Sequence, residues 1–150
     1  MKLAEALQER SDLKIRIAQL RTRLLNNATV QEGESTAEDP NDLLVQLEEA
    51  SRRLETLIAR INLSNSSIQS EGKTLTEWIA RKDALTQKLA ITRDLINEAS
   101  ALAYRARGSE IKVKSAVNVT ELQTQADAMA KELREVNNRI QETNWTNDLI

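Results

Sequence analysis

The chain has 150 residues, a length that suits one domain, and a formal net charge of −2. It contains no cysteine and no histidine, which excludes disulfides, thiolate sites and the most common metal ligand and general base. The aromatic content is only 2%, and 29% of the residues are charged. This composition is typical of long helices, so we expect a mainly α fold, an antiparallel bundle of four helices in one domain spanning residues 1–150.

The first half of the chain predicts two amphipathic helices. The first runs from about Lys2 to about Asn26, and its apolar residues recur at alternating steps of three and four: Leu13, Ile17, Leu20 and Leu24. The second begins after Asp39, which can cap it, with Pro40 at the first helical position. Its apolar stripe is the most regular in the chain: Leu43, Leu47, Ala50, Leu54, Leu57 and Ile61.

An acidic segment, residues 29–41, joins these two helices. It contains Glu32, Glu34, Glu38 and Asp39 and no basic residue. Carboxylates can bind a hard cation such as calcium, but these four lack the ordered spacing of a calcium-binding loop. We therefore expect a solvated loop, and whether it binds anything stays open.

A third helix is predicted after the turn at residues 71–73. Thr74 followed by Glu77 forms a capping box, and Gly108 suits a C-terminal cap after a helix that ends near Arg107. Because the turn is short, the second and third helices are expected to lie antiparallel as a hairpin.

Residues 110–119 alternate between polar and apolar, a pattern that predicts one short β-strand or β-ribbon between the last two helices. A single strand leaves backbone groups unpaired, so this one needs a partner edge, either residues 29–32 or the same segment of another copy. We therefore predict an oligomer interface at five apolar residues: Ile111, Val113, Val117, Val119 and Trp145.

The last helix is predicted to begin at the capping pair Asn118 and Glu121. Its flank is acidic whereas that of the first helix is basic, which favours the first and last helices as neighbours. Trp145 and the aliphatic residues after it are expected to be docked, because such side chains seldom extend into water.

No catalytic constellation or phosphate-binding glycine loop is present, so we expect a protein that is not an enzyme and has no cofactor or metal. The best candidates for contacting nucleic acid or a phosphorylated ligand are Arg105, Arg107, Lys112 and Lys114. The net charge disfavours nucleic acid as a partner.

The sequence predicts a cytoplasmic protein without membrane contact. The first ten residues carry charge from Lys2 onward, unlike a signal peptide, and no apolar run approaches the roughly 20 residues of a membrane span.

Five segments carry a resemblance to a known family. They are MKLAEALQER (1–10), VQEGE (30–34), LIARIN (57–62), SEIK (109–112) and IQETNW (140–145). Through these the chain resembles a family of small, uncharacterised bacterial helical proteins, some of which carry the label septicolysin. The resemblance implies one domain over the whole chain, and the label implies a membrane-active cytolysin.

These observations favour a structural or interaction protein that self-associates as a homo-oligomer. Long, narrow helices expose much surface for their volume, which one chain covers poorly. A module that binds nucleic acid or a phosphorylated ligand and a membrane-active cytolysin are the two alternatives.

Overall fold

The computed structural model describes residues 1–101 and 111–150, and these residues form four long helices and one two-stranded hairpin. The elements in chain order are α1 (Leu3–Asn26), α2 (Pro40–Ser67), β1 (Gln69–Ser70), β2 (Lys73–Thr74), α3 (Leu75–Ser100) and α4 (Val119–Thr146). The mainly α fold is therefore confirmed. The chain divides into two compact units, Met1–Gln69 with Thr143–Ile150, and Ser70–Glu142.

In the first unit, α1 and α2 pack together as an antiparallel pair. Leu20 near the end of α1 lies in one buried cluster with Leu43 at the start of α2, whereas Glu9 near the start of α1 bonds Arg53 further along α2. The residues packed around this cluster belong to the predicted stripes: Leu13, Ile17, Leu24 and Leu47. Side chains spaced at three and four along a helix form one apolar face, and burial of that face stabilises the pair.

Within the first unit, main-chain hydrogen bonds join the last residues of the chain to the start of α1. Leu3 N donates to Asn147 O at 2.9 Å, and Leu149 N donates to Met1 O at 2.9 Å. The Lys2 ammonium lies 3.0 Å from Asp148, and this contact lowers the pKa of the Asp148 carboxyl through a hydrogen bond and then through charge. The start of α1 therefore lies beside the end of α4 and the residues that follow it.

The docking of this terminus differs from the prediction. Leu149 is buried at 8% exposure, but Trp145 is 61% exposed. Thr143 and Asn144 occupy the buried side of the helix end. Because successive residues turn by about 100° around a helix, Trp145 is directed away from that side. The prediction that Trp145 is docked is wrong.

Strands β1 and β2 form a tight hairpin just before α3. Its two loop residues have positive φ, 50° at Glu71 and 77° at Gly72. That combination suits a two-residue hairpin loop, whose twist matches the flanking strands, and glycine adopts it without steric cost. The predicted capping box at Thr74 is confirmed, because the Thr74 side chain accepts from Glu77 N at 3.2 Å.

Helices α3 and α4 also pack as an antiparallel pair. Leu89, Ile96 and Ala126 form the buried cluster, and further α4 residues pack against it: Val119, Leu122, Met129, Ala130 and Leu133. The predicted cap of α4 is confirmed, since Glu121 N donates to Asn118 Oδ1 at 3.1 Å. These two clusters join α1 with α2 and α3 with α4. The predicted antiparallel arrangement of α2 and α3 concerns helices of different units and stays a prediction.

Two predicted elements differ from the structure. Helix α3 ends at Ser100, before the predicted end at Arg107, which lies with Gly108 outside the described residues. Residues 111–118 are described and have no strand, so the predicted location of the ribbon, between the last two helices, is wrong. The ribbon lies between α2 and α3, where two residues of loop bring two chain segments together as partners. An alternating segment without such a partner gains no ladder hydrogen bonds.

Candidate functional site

The predicted anion-binding residues are only partly covered by the structure. Arg105 and Arg107 lie outside the described residues. Lys112 and Lys114 are exposed on the irregular segment that precedes α4. No described contact brings these two lysines into a common site, so an anion site at the four basic residues stays a prediction.

The predicted interface residues differ in exposure. Ile111 is 78% exposed and Val113 is 39% exposed, whereas Val117 and Val119 are half-buried. Val113 and Val117 line a small groove of about 210 Å³ with Leu95 of α3. Two apolar side chains of this segment, Val113 and Val117, therefore lie beside α3 within the second unit.

The interface between α1 and α2 carries a bidentate ion pair. Arg53 Nε and Nη2 donate to the two carboxylate oxygens of Glu9 at 2.6 and 2.8 Å. These hydrogen bonds, and then the charge of Arg53, hold the pKa of Glu9 below its ordinary value against the opposing effect of burial. The pair joins the two helices and leaves neither charge for a ligand.

The acidic segment is tied down at its end by Arg23. The Arg23 guanidinium forms a bidentate ion pair with Glu38, and Glu38 N donates to the Asn27 side chain at 3.0 Å. The hydrogen bonds from Arg23 lower the pKa of Glu38. Asp39 caps α2 by accepting from Asn41 N at 2.9 Å, as predicted. Two of the four acidic side chains are thus engaged in holding the fold.

Trp78 lies between two cations beside the hairpin. Lys73 Nζ is 5.2 Å and the Arg139 guanidinium carbon 5.4 Å from the ring centroid. The indole N–H donates to Ser70 O at 2.9 Å, and Arg139 also bonds Glu71 at 2.7 Å. This cluster fastens the hairpin to α3 and α4, and its cations are already occupied by the ring and the carboxylate.

A groove of about 430 Å³, here termed the α3–α4 groove, runs between the two helices of the second unit. Helix α3 contributes Lys82, Thr86, Leu89 and Arg93. Helix α4 contributes Ala130, Leu133, Arg134 and Asn137. The lining therefore holds three cations, two neutral polar groups and three apolar residues, and it includes no carboxylate.

The cations of the α3–α4 groove lie apart from the ion pair that joins the same helices. Arg81 bonds Glu132 at 3.0 and 2.5 Å. Arg81 and Lys82 are about 100° apart around α3 and flank the buried line that contains Leu85 and Leu89. One edge of the helix pair therefore has matched charges, and the other edge has cations alone.

Sequence reasoning missed the α3–α4 groove. Lys82, Thr86, Leu89 and Arg93 lie at steps of four, three and four, so a common face on α3 was visible in the sequence. The pairing of α3 with α4, which brings Arg134 to this face, was not visible in the sequence. The groove depends on that pairing.

Two further classes of site are absent from the part of the chain that the structure describes. Within residues 1–101 and 111–150, no group of three or more acidic residues could hold a metal ion. No helix formed by these residues is both long and apolar enough to cross a membrane.

Comparison with known proteins establishes the family. A family of unknown function, DUF6847, matches residues 10–149. The chain belongs to this family. The search of curated proteins found no match.

A solved structure shares the whole fold. It is described as a functionally unknown conserved protein from Corynebacterium diphtheriae, and it is 38% identical to this chain with a TM-score of 0.91. The alignment covers 100% of this chain and 99% of that one. Neither description uses the label septicolysin, and both give the function as unknown.

Proposed function

We propose that the protein is a non-catalytic interaction protein of the cytoplasm that self-associates through the outer edge of α2. The observation that carries this proposal is a second apolar line on that helix. Residues 43, 50, 57 and 64 recur every seven positions and are buried. The adjacent line, 44, 51 and 58, begins and ends with exposed aliphatic side chains, Leu44 at 51% and Ile58 at 37%.

The outer edge of α2 has the shape of a contact surface. Ile58 and the half-buried Leu54 line a groove of about 420 Å³ together with Ser51, Glu55 and Ala59. Val45 and Leu63 are also exposed, at 58% and 52%, but they lie about 140° around the helix from Ile58 and do not belong to this edge. An exposed apolar groove on a helix supports association with another protein surface.

A second copy of the chain is the occupant that fits this edge. An isologous contact uses the same surface of both copies, so each α2 helix covers the apolar edge of the other. The exposed charges Glu48 and Arg52 already bond each other at 2.7 Å within α2. Pairing the two edges therefore leaves neither Glu48 nor Arg52 without an opposite charge.

Sedimentation velocity at micromolar concentrations tests the proposal. The wild-type chain is expected at twice its mass of 16.9 kDa. The variant Leu44→Glu/Ile58→Glu is expected to be a monomer, because two carboxylates would be buried in the contact. A matched control, Ile15→Glu/Leu25→Glu, changes two exposed α1 residues and should remain a dimer. A monomeric wild-type chain would refute the proposal.

The segment predicted from sequence offers a second place for the contact. Ile111 is 78% exposed, more than Leu44 or Ile58 of α2, and Trp145 is a large exposed aromatic side chain. The variants Ile111→Ser/Val113→Ser and Trp145→Ser are expected to remain dimers. If either is a monomer while Leu44→Glu/Ile58→Glu is a dimer, the α2 interface is wrong and the predicted interface replaces it.

A further inference from the structure

The α3–α4 groove has the dimensions of a small-molecule site. Its volume of about 430 Å³ lies within the range of about 300–1,000 Å³ that is usual for ligand pockets. Lys82 and Arg93 are eleven residues apart on α3, which places their Cα atoms about 16 Å apart along the helix axis. The groove therefore has a cation toward each end, and the apolar Leu89 lies between them.

The charges of the groove have no protein partner among the described residues. The ion pairs between described residues do not include Lys82, Arg93 or Arg134. An anion bound in the groove would give these cations a counter-charge at close range. Arginine presents a planar fork of N–H donors that matches the oxygens of carboxylates and phosphates.

The base of the groove is apolar. Leu89 is 4% exposed, and Ala130 and Leu133 are half-buried and pack against the Leu89 cluster. Thr86 and Asn137 supply neutral polar groups. An inorganic ion would leave the exposed parts of Ala130 and Leu133 in contact with water, whereas a ligand with an apolar body would cover them.

We propose that the α3–α4 groove binds a small organic anion, one that carries a phosphate or carboxylate head group on an apolar body. The head group contacts Arg134 and Lys82, and the body lies along Leu89 and Leu133. This site is separate from the outer edge of α2 and does not depend on self-association.

Nucleic acid fits the groove less well than a small anion does. The whole chain carries a net charge of −2, which opposes a long polyanion. The lining contains no aromatic side chain on which a base could stack. The cations are confined to one groove, so a ligand with one or two negative charges uses them fully.

Isothermal titration with octyl phosphate tests the site, with inorganic phosphate and octylamine as comparison ligands. Octyl phosphate is expected to bind, inorganic phosphate to bind at least about tenfold more weakly for lack of an apolar body, and octylamine not to bind. Amide chemical-shift changes should fall on residues 82–93 and 130–137. Absence of octyl phosphate binding, or equal binding of octylamine, would overturn the proposal.

Charge variants show whether binding occurs in the groove. Lys82→Gln/Arg134→Gln is expected to weaken octyl phosphate at least about tenfold, because charge-assisted hydrogen bonds are lost. The control Lys88→Gln/Lys131→Gln removes the same charge from exposed positions of α3 and α4 outside the lining, and should change affinity less than about twofold. Circular dichroism verifies that both variants fold. Equal weakening in both variants would refute the groove as the site.

A lipid head group and a free metabolite share this chemistry, and vesicles separate them. Vesicles that contain phosphatidic acid present the phosphate in a bilayer, where the acyl chains are not available to Leu89. We expect no co-sedimentation with these vesicles, which supports a free anion as the ligand. Co-sedimentation that survives in Lys82→Gln/Arg134→Gln would contradict the assignment of anion binding to the groove.

Discussion

Helices α1 and α2 form one antiparallel pair, and α3 and α4 form another, but the cations at the two interfaces have different partners. Between α1 and α2, Arg53 bonds both carboxylate oxygens of Glu9. Between α3 and α4, Arg81 bonds Glu132 at one edge, whereas the cations of the α3–α4 groove at the other edge have no carboxylate in the lining. The two helix pairs therefore pack aliphatic side chains in a similar way but differ in whether the cations at their edges have carboxylate partners.

This difference separates charges that hold the fold from charges that are open to a ligand. A bidentate ion pair between helices restricts their register and orientation, although it contributes little stability when partly exposed. A group of cations without counter-charges does not restrict the register or orientation of the helices.

The largest effect on stability is expected from substitutions in the aliphatic core, which each of the two helix pairs has. Leu57→Ala in α2 and Leu89→Ala in α3 should each lower the free energy of unfolding by about 2–5 kcal/mol, because each leaves a cavity at a buried position. Urea denaturation measures the change. Leu25→Ala, at a residue 59% exposed, is the control and should change stability by less than about 0.5 kcal/mol. A small effect at Leu89 alone would show that the groove base is not part of a rigid core.

The hairpin before α3 gives a smaller expected effect. Gly72→Ala should lower the free energy of unfolding by about 1–2 kcal/mol, because φ of 77° is unfavourable for a residue with a Cβ atom. No atom lies within 4 Å of the position of that Cβ, so the cost comes from the backbone conformation rather than from a clash. Gly72→Asn should recover part of the loss, since asparagine tolerates this region. Equal losses in both variants would contradict the explanation.

The ion pair between α1 and α2 is expected to contribute about 0.5–1 kcal/mol at pH 7, because the Arg53 side chain is 41% exposed and the Glu9 side chain 31%. A double-mutant cycle with Arg53→Gln and Glu9→Gln measures this coupling. The folded-state pKa of Glu9 is lowered, so the coupling should be fully present above the ordinary glutamate pKa of about 4.3 and be lost as the pH falls through the lowered folded-state pKa. A coupling that is independent of pH in this range would show that charge is not its origin.

The smallest effect on stability is expected in the α3–α4 groove. Lys82→Gln/Arg134→Gln should change the free energy of unfolding by less than about 0.5 kcal/mol, or raise it slightly, because no ion pair is lost. Thermal unfolding in the absence of ligand measures this difference. A loss as large as that of Arg53→Gln would indicate that these cations hold the fold, and the contrast between the two interfaces would then disappear.

Several local features were predictable because their signals are contained in short segments. Asp39 followed by Pro40 marked the start of α2, and Thr74 followed by Glu77 marked the start of α3, since a capping side chain bonds backbone groups within one helical turn. The apolar stripes of α1 and α2 likewise identified the residues that are buried between them. In each case the physical cause acts over a few residues.

The errors concern features that depend on a distant partner. Residues 111–118 alternate as a strand does but do not form one, whereas the hairpin around Gly72 forms from strands of two residues each. Trp145 was expected to be docked on general hydrophobicity, but its exposure depends on which side of α4 the neighbouring residues Thr143 and Asn144 occupy. Neither outcome follows from a local pattern.

The sequence by itself determined that this protein is helical, where most helices begin, and which residues form their apolar faces, because periodicity and capping are local properties of the chain. Tertiary structure alone decided that α1 pairs with α2 and α3 with α4, since an apolar stripe on a helix does not specify which other helix covers it. The same pairing set the partners of the charges. It brought Glu9 to Arg53, and it placed Arg134 beside Lys82 in a groove that no single segment of the sequence contains.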